Sequence, residues 1–125
     1  MKKIINTPNA PAPIGPYSQA VQTSNMLFVS GQIPINPATG EMVMDSIEAE
    51  ATQVMKNLQA VLTAAGASFD NVVMTTIFLA DMGDFAAVNA VYGTYFTADF
   101  PARATVAVKT LPKNVNVEIS VIAAL

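Results

Sequence analysis

Apolar residues recur along this chain with two different periods, and the switches between them divide it into elements. From Ile47 the apolar positions Ala51, Val54, Leu58, Val61, Leu62 and Ala65 fall three or four apart, as on one face of a helix. Asp45 with Glu48 three residues on has the form of a capping box, and Gly66 stands where such a helix should end. A second, shorter stripe runs through Phe85, Val88, Val91, Tyr92 and Tyr95, with Asp81 or Asp84 as its cap and Pro101 as its stop. Elsewhere the period is two. Residues 17–21 and 26–30 read as strands around a turn at Thr23-Ser24-Asn25, residues 72–79 as a strand, and residues 102–108 and 115–124 as the last pair. Ahead of them, Pro8, Pro11, Pro13 and Pro16 mark an extended or turning arm, because proline has no N–H for a central ladder. After Gly31, the run of Pro34, Asn36, Pro37, Thr39 and Gly40 reads as a long loop. The order β-β-β-α-β-α-β-β predicts an α+β domain spanning 1–125, with two helices on one sheet face.

The last strand alternates sharply. Val115, Val117, Ile119 and Val121 share one face, and Asn116, Glu118, Ser120 and Ile122 the other. If residues 102–108 pair with it as a hairpin through Leu111-Pro112, and the helices cover the valines, then Arg103, Thr105, Glu118 and Ser120 gather on the far face. Arg103 is the one arginine of the chain, set in the apolar stretch Phe100-Pro101-Ala102-Arg103-Ala104-Thr105-Val106. A guanidinium is always charged and carries five donors in a planar fork, so such a placement calls for an anionic partner. Two partners fit. One is Glu118 in a cross-strand ion pair, worth roughly 0.2–1 kcal/mol, and on spacing alone this plainer reading leads. The other is a carboxylate brought by a ligand and gripped bidentately, which leaves Glu118 free to position or activate water.

Composition narrows the chemistry. There is no histidine and no cysteine, which removes the usual acid–base and thiolate candidates and makes a zinc site implausible on donor chemistry. The chain is 52% hydrophobic and only 12% charged, more apolar surface than a small lone domain covers, so a homo-oligomer is expected. A net charge of −3 with scattered lysines argues against nucleic acid. No apolar run reaches the ~18 residues of a membrane span, and Met1-Lys2-Lys3-Ile4-Ile5 is too short for a signal h-region; a cytoplasmic protein with no membrane partner is the expectation. Weaker candidates are Ser30-Gly31-Gln32 at a strand end, where Gly31 allows close backbone approach, Tyr17 after Gly15-Pro16, and Asn89 beside the second helical stripe.

Six groups of residues stand in order over essentially the whole chain: Ile14-Gly15-Pro16-Tyr17-Ser18-Gln19-Ala20, Ser30-Gly31-Gln32-Ile33-Pro34, Asn57-Leu58 with Ala64-Ala65-Gly66, Phe85-Ala86-Ala87-Val88-Asn89, Pro101-Ala102-Arg103 and Leu111-Pro112-Lys113 with Val117-Glu118-Ile119. Together they resemble the Rid (YjgF) family, specifically its RidA-type reactive-intermediate deaminases. The resemblance implies a chorismate-mutase-like fold and a homotrimer with clefts between subunits. It also implies hydrolysis of 2-imino acids (2-iminobutanoate, 2-iminopropanoate) to 2-keto acids and ammonia, without cofactor or metal. Carried over residue by residue, Arg103 binds the substrate carboxylate and Glu118 orients water. The backbone around Gly31 and Thr105 contacts substrate, while Tyr17, Ser30 and Asn89 line the cleft, some from the adjacent subunit. Two departures stand out: many relatives read Arg-Ser-Cys at Arg103-Ala104-Thr105, and Glu-Ile-Glu at Glu118-Ile119-Ser120. The competing expectation is a keto-acid or amino-acid binding protein that uses the same cleft for regulation. RNA cleavage, attached to some relatives, suits an acidic chain without histidine least.

Overall fold

The computed structural model describes residues 1–125. Strands β1 (Lys2–Ile5), β2 (Ala20–Thr23) and β3 (Met26–Gln32) precede helix α1 (Ile47–Ala64); β4 (Val72–Leu79), α2 (Phe85–Gly93), β5 (Ala102–Ala107) and β6 (Val117–Ala124) follow. This is the predicted order, with the first strand lying in the arm before its prolines. The six strands form one mixed sheet in the order β1-β2-β3-β6-β4-β5, parallel only between β4 and β5.

Helix α1 forms where its stripe predicts, but its cap differs. Ser46, not Asp45, is the N-cap: in extended conformation its hydroxyl accepts from Ala49 N at 3.0 Å. Gly66 ends the helix as expected. At φ 76° it lets Ala67 N reach Leu62 O and Gly66 N reach Thr63 O, each at 2.9 Å, closing a Schellman motif. The stripe Ala51, Val54, Leu58, Val61 and Leu62, joined by Met55, is buried against β6 and β3. Each fully buried Val or Leu side chain contributes about 1.5–3 kcal/mol.

Helix α2 is shorter than its stripe suggests. It stops at Gly93, so Tyr95 lies beyond it and Pro101 heads β5 instead of ending the helix. Asp84 occupies the N-cap without a side-chain bond, whereas Asp81 caps the short 3-10 turn Met82–Asp84 through Gly83 N at 2.8 Å.

The expected hairpin between the last two strands does not form. β4 lies between them: β5 pairs only with β4, as the parallel arm of a β4-α2-β5 crossover, and β6 pairs with β3 and β4. β6 holds the sheet centre because every second residue (Val117, Ile119, Val121, Ala123) is buried. β5 is an edge strand, exposed at every position except Thr105. Register then sets the faces. Arg103 and Thr105 pair with Thr75 and Ile77, whose row continues to Val121 and Ile119 beneath the helices. Glu118 pairs with Phe78, whose other neighbour is Val106, on the open side. Arg103 and Glu118 therefore stand on opposite faces of the sheet, and the predicted grouping of Arg103 and Thr105 with Glu118 and Ser120 is overturned. On the open face Ile4, Phe28 and Val106 are 51%, 44% and 47% exposed.

Candidate active site split between two grooves

Arg103 leaves the edge strand on the helix side and meets α2. Its Nη1 donates to Asn89 Oδ1 at 2.7 Å. The guanidinium carbon lies over the rings of Phe85 and Tyr92, 5.5 and 5.2 Å from their centres. The cross-strand ion pair with Glu118 is absent; an amide oxygen holds the arginine and leaves its charge uncompensated. The surrounding groove is lined by Asn89, Tyr92, Gly93, Phe100, Pro101 and Arg103. Tyr92 is buried and donates to Thr75 Oγ1 at 3.0 Å. Burial raises its phenol above the ordinary range, against smaller opposing effects of the Thr75 bond and the Arg103 charge. Thr105, two residues from Arg103 on the same face, has a buried hydroxyl with no partner in the chain.

Glu118 opens into a second groove with Ile14, Tyr17, Ser30, Gly31 and Pro112. Burial, with no basic group opposing it, pushes its carboxyl above the ordinary carboxylate value. Gly31 is not the strand-ending turn that its sequence neighbourhood suggests. It lies inside β3, where the register against β6 shifts between Val29 and Gln32, and its missing side chain makes room for Glu118. Tyr17 is half exposed, and its hydroxyl lies 3.4 Å from Ile14 N. Ser30 donates to Ser18 O at 2.6 Å, which commits its hydroxyl proton to the arm. Buried Gln19 fixes that arm: its Oε1 accepts from Thr7 N at 2.7 Å, and its Nε2 donates to Thr7 O at 3.0 Å and Pro11 O at 2.9 Å. Across the groove, Leu111 leads into a tight loop with Lys113 and Asn114 at φ 55° and 56°, which presents Pro112 to Glu118.

The seven sequence candidates thus fall into two sets. Asn89, Arg103 and Thr105 belong to the α2 side; Tyr17, Ser30, Gly31 and Glu118 belong to the arm side. One set offers a cation with open donors, the other a carboxylate with no partner in the chain. Phe85 and Tyr92 were missed as site residues because their stripe reads as core. Their spacing does hold the signal, since Phe85, Asn89 and Tyr92 at i, i+4 and i+7 share one helix face. No helix is long and apolar enough to cross a membrane.

A two-layer α+β domain with its polar chemistry divided between two grooves is a recognisable class, and comparison with known proteins places it. The family model described as Endoribonuclease L-PSP matches residues 7–125. The mouse 2-iminobutanoate/2-iminopropanoate deaminase is 50% identical over 123 residues, covering 98% of this chain and 91% of the mouse protein. Among solved structures, YyfA of the conserved Rid protein family from Yersinia pestis superposes with a TM-score of 0.98 at 50% identity, each chain covered completely. TdcF from E. coli, solved with bound serine, gives 0.95 at 42% identity, with 98% of each chain covered. This chain belongs to the Rid family.

Proposed function

We propose that this chain is an imine deaminase acting on small 2-imino acids, and that it works as a homotrimer in which the Arg103 groove of one copy faces the Glu118 groove of the next. The observation that carries the proposal is the division itself: an unneutralised guanidinium and a partnerless, desolvated carboxylate, each beside its own groove on opposite sheet faces. One chain therefore supplies both halves of a site without assembling it. The apolar open face supports association, and half-identity to the mouse deaminase supports the reaction.

The chemistry fits these groups. Arg103 takes the substrate carboxylate on its open donors, a charge-assisted contact worth about 1.5–3 kcal/mol. Glu118 takes a proton from water as the water oxygen bonds to the imine carbon. Glu118 then passes that proton to the nitrogen of the carbinolamine, the carbon–nitrogen bond breaks as the hydroxyl gives up its proton and becomes the keto oxygen, and ammonia and a 2-keto acid leave. A protonated imine is already electrophilic, so holding the carboxylate and aligning one water provides most of what is needed.

A second reading is a sensor of small carboxylates, favoured by the relative that binds serine: an amino acid has the carboxylate but no imine to hydrolyse. Coupling a threonine dehydratase to this protein and following 2-ketobutyrate and ammonia separates the two. Acceleration by wild type and none by Arg103→Ala supports the deaminase. Binding of 2-ketobutyrate with no acceleration overturns it in favour of the sensor. The family description names RNA cleavage; scattered cations and the absence of histidine give that chemistry no counterpart in these grooves.

A further inference from the structure

We propose that Phe85 and Tyr92 are positioning residues: their rings, with Asn89, hold the Arg103 guanidinium in one plane so that its Nε–Nη2 edge is ready for a planar carboxylate. The inference deepens the carboxylate-binding role given to Arg103 above and rests on it. Arg103 projects from an exposed edge strand, where a free arginine side chain carries about 2 kcal/mol of rotamer entropy. A ligand that had to freeze it would lose that from its affinity. Here the freezing is done in advance. Asn89 engages Nη1 at 2.7 Å, and the two rings lie 5.5 and 5.2 Å from the guanidinium carbon, within the range of cation–π attraction.

The Tyr92 ring is itself tethered. Its hydroxyl donates at 3.0 Å to Thr75, which is fully buried and is the register partner of Arg103 in the neighbouring strand. Sheet backbone, Thr75, Tyr92 and guanidinium thus form one loop of contacts, so strand and clamp cannot drift apart independently. The bond used by Asn89 is on Nη1. Nε and Nη2 lie side by side on the other edge of the fork and make no hydrogen bond within the chain, which leaves a complete pair of donors for the two oxygens of one carboxylate.

Because Arg103 is the one arginine, its Nε–H gives a single nitrogen-15 signal, readable in the intact protein without ligand. The experiment compares wild type, Phe85→Leu, Tyr92→Leu and Tyr92→Phe. It records the order parameter of that Nε–H, the Kd for 2-ketobutyrate by calorimetry, and kcat and KM in the dehydratase-coupled assay. Folding is checked by circular dichroism. The wild-type Nε–H is expected to be as ordered as the backbone, and to become mobile in either leucine variant. Affinity should weaken about two- to fivefold for each ring lost, with the change in KM and not kcat. Tyr92→Phe, which keeps the ring and loses only the tether, should fall between wild type and Tyr92→Leu. If Tyr92→Leu does not fold, Phe85→Leu at the helix start carries the test. A mobile Nε–H in wild type, or unchanged order and affinity in a folded leucine variant, overturns the clamp. An ordered wild-type Nε–H with no 2-ketobutyrate binding leaves the clamp standing and removes the carboxylate role instead.

Discussion

A methyl group added at Gly31 would stand 2.6 Å from Oε2 of Glu118 and 2.9 Å from its Cδ. The carboxylate lies in space that any other residue would fill. Gly31→Ala must therefore swing Glu118 aside. On the proposed function, in which Glu118 handles water, turnover is expected to fall at least about tenfold, as a misplacement of about 1 Å can cost more than that. The melting temperature should change little, because Glu118 gives up no hydrogen bond. Wild-type kcat in Gly31→Ala would show that the position of Glu118 is immaterial to the reaction.

Burial raises the Glu118 carboxyl, so a protein that needs its carboxylate form loses activity as pH falls through that raised value, at a higher pH than an ordinary carboxylate would allow. On the proposed assembly the neighbour's Arg103 adds an opposing pull in the free enzyme, and a bound substrate carboxylate neutralises it. The acid limb of kcat is then expected above that of kcat/KM. Glu118→Gln should abolish both limbs and slow hydrolysis while 2-ketobutyrate still binds. A pH profile unchanged in that variant assigns the limb to another group.

Arg103→Ala and Glu118→Ala each disable one half of every proposed site, but different halves. Co-expressed in equal amounts, randomly mixed trimers should recover about a quarter of wild-type activity, because one copy supplies the arginine and the next the glutamate. Separately purified and unmixed, both should be inactive. Failure of the mixture to recover activity, with mixed oligomers confirmed by mass spectrometry, would mean that no site is shared between copies.

Gln19→Leu removes the acceptor of Thr7 N and the two amide protons that Nε2 shares among Thr7 O, Ala10 O and Pro11 O, about three bonds to the arm. At about 1 kcal/mol per bond, less some replacement by water, a loss of about 2–3 kcal/mol is expected in urea unfolding at fixed protein concentration. KM should rise as well, since the arm carries Ile14 and Tyr17 into the Glu118 groove. Unchanged stability would show that the arm is held in place without the Gln19 side chain.

Local signals were legible and pairing was not. Helix α1 follows from its stripe and its glycine, and the placement of Glu118 opposite the buried valines follows from the alternation in β6. The cap moved by one residue because Ser46 competes with Asp45 over a single turn. In β5 the alternation points the wrong way: Ala102, Ala104 and Val106 are the more apolar row yet lie on the open side, while Arg103, Thr105 and Ala107 lie on the helix side. Its partner is decided by the α2 crossover, a non-local event. From that one misjudged pairing came the wrong company for Arg103. The resemblance nevertheless named Asn89 and Arg103 for the same cleft, and the structure joins them by a hydrogen bond.

On the proposed assembly, the opposite orientation of Arg103 and Glu118 also bears on how copies count. A chain that offers a socket on one side and a plug on the other joins head to tail, and a row of such chains always ends with one of each unused. Only when the last copy meets the first does every arginine find a glutamate. On the proposed assembly, folding produces the parts, and closure of the ring decides whether none of them is wasted.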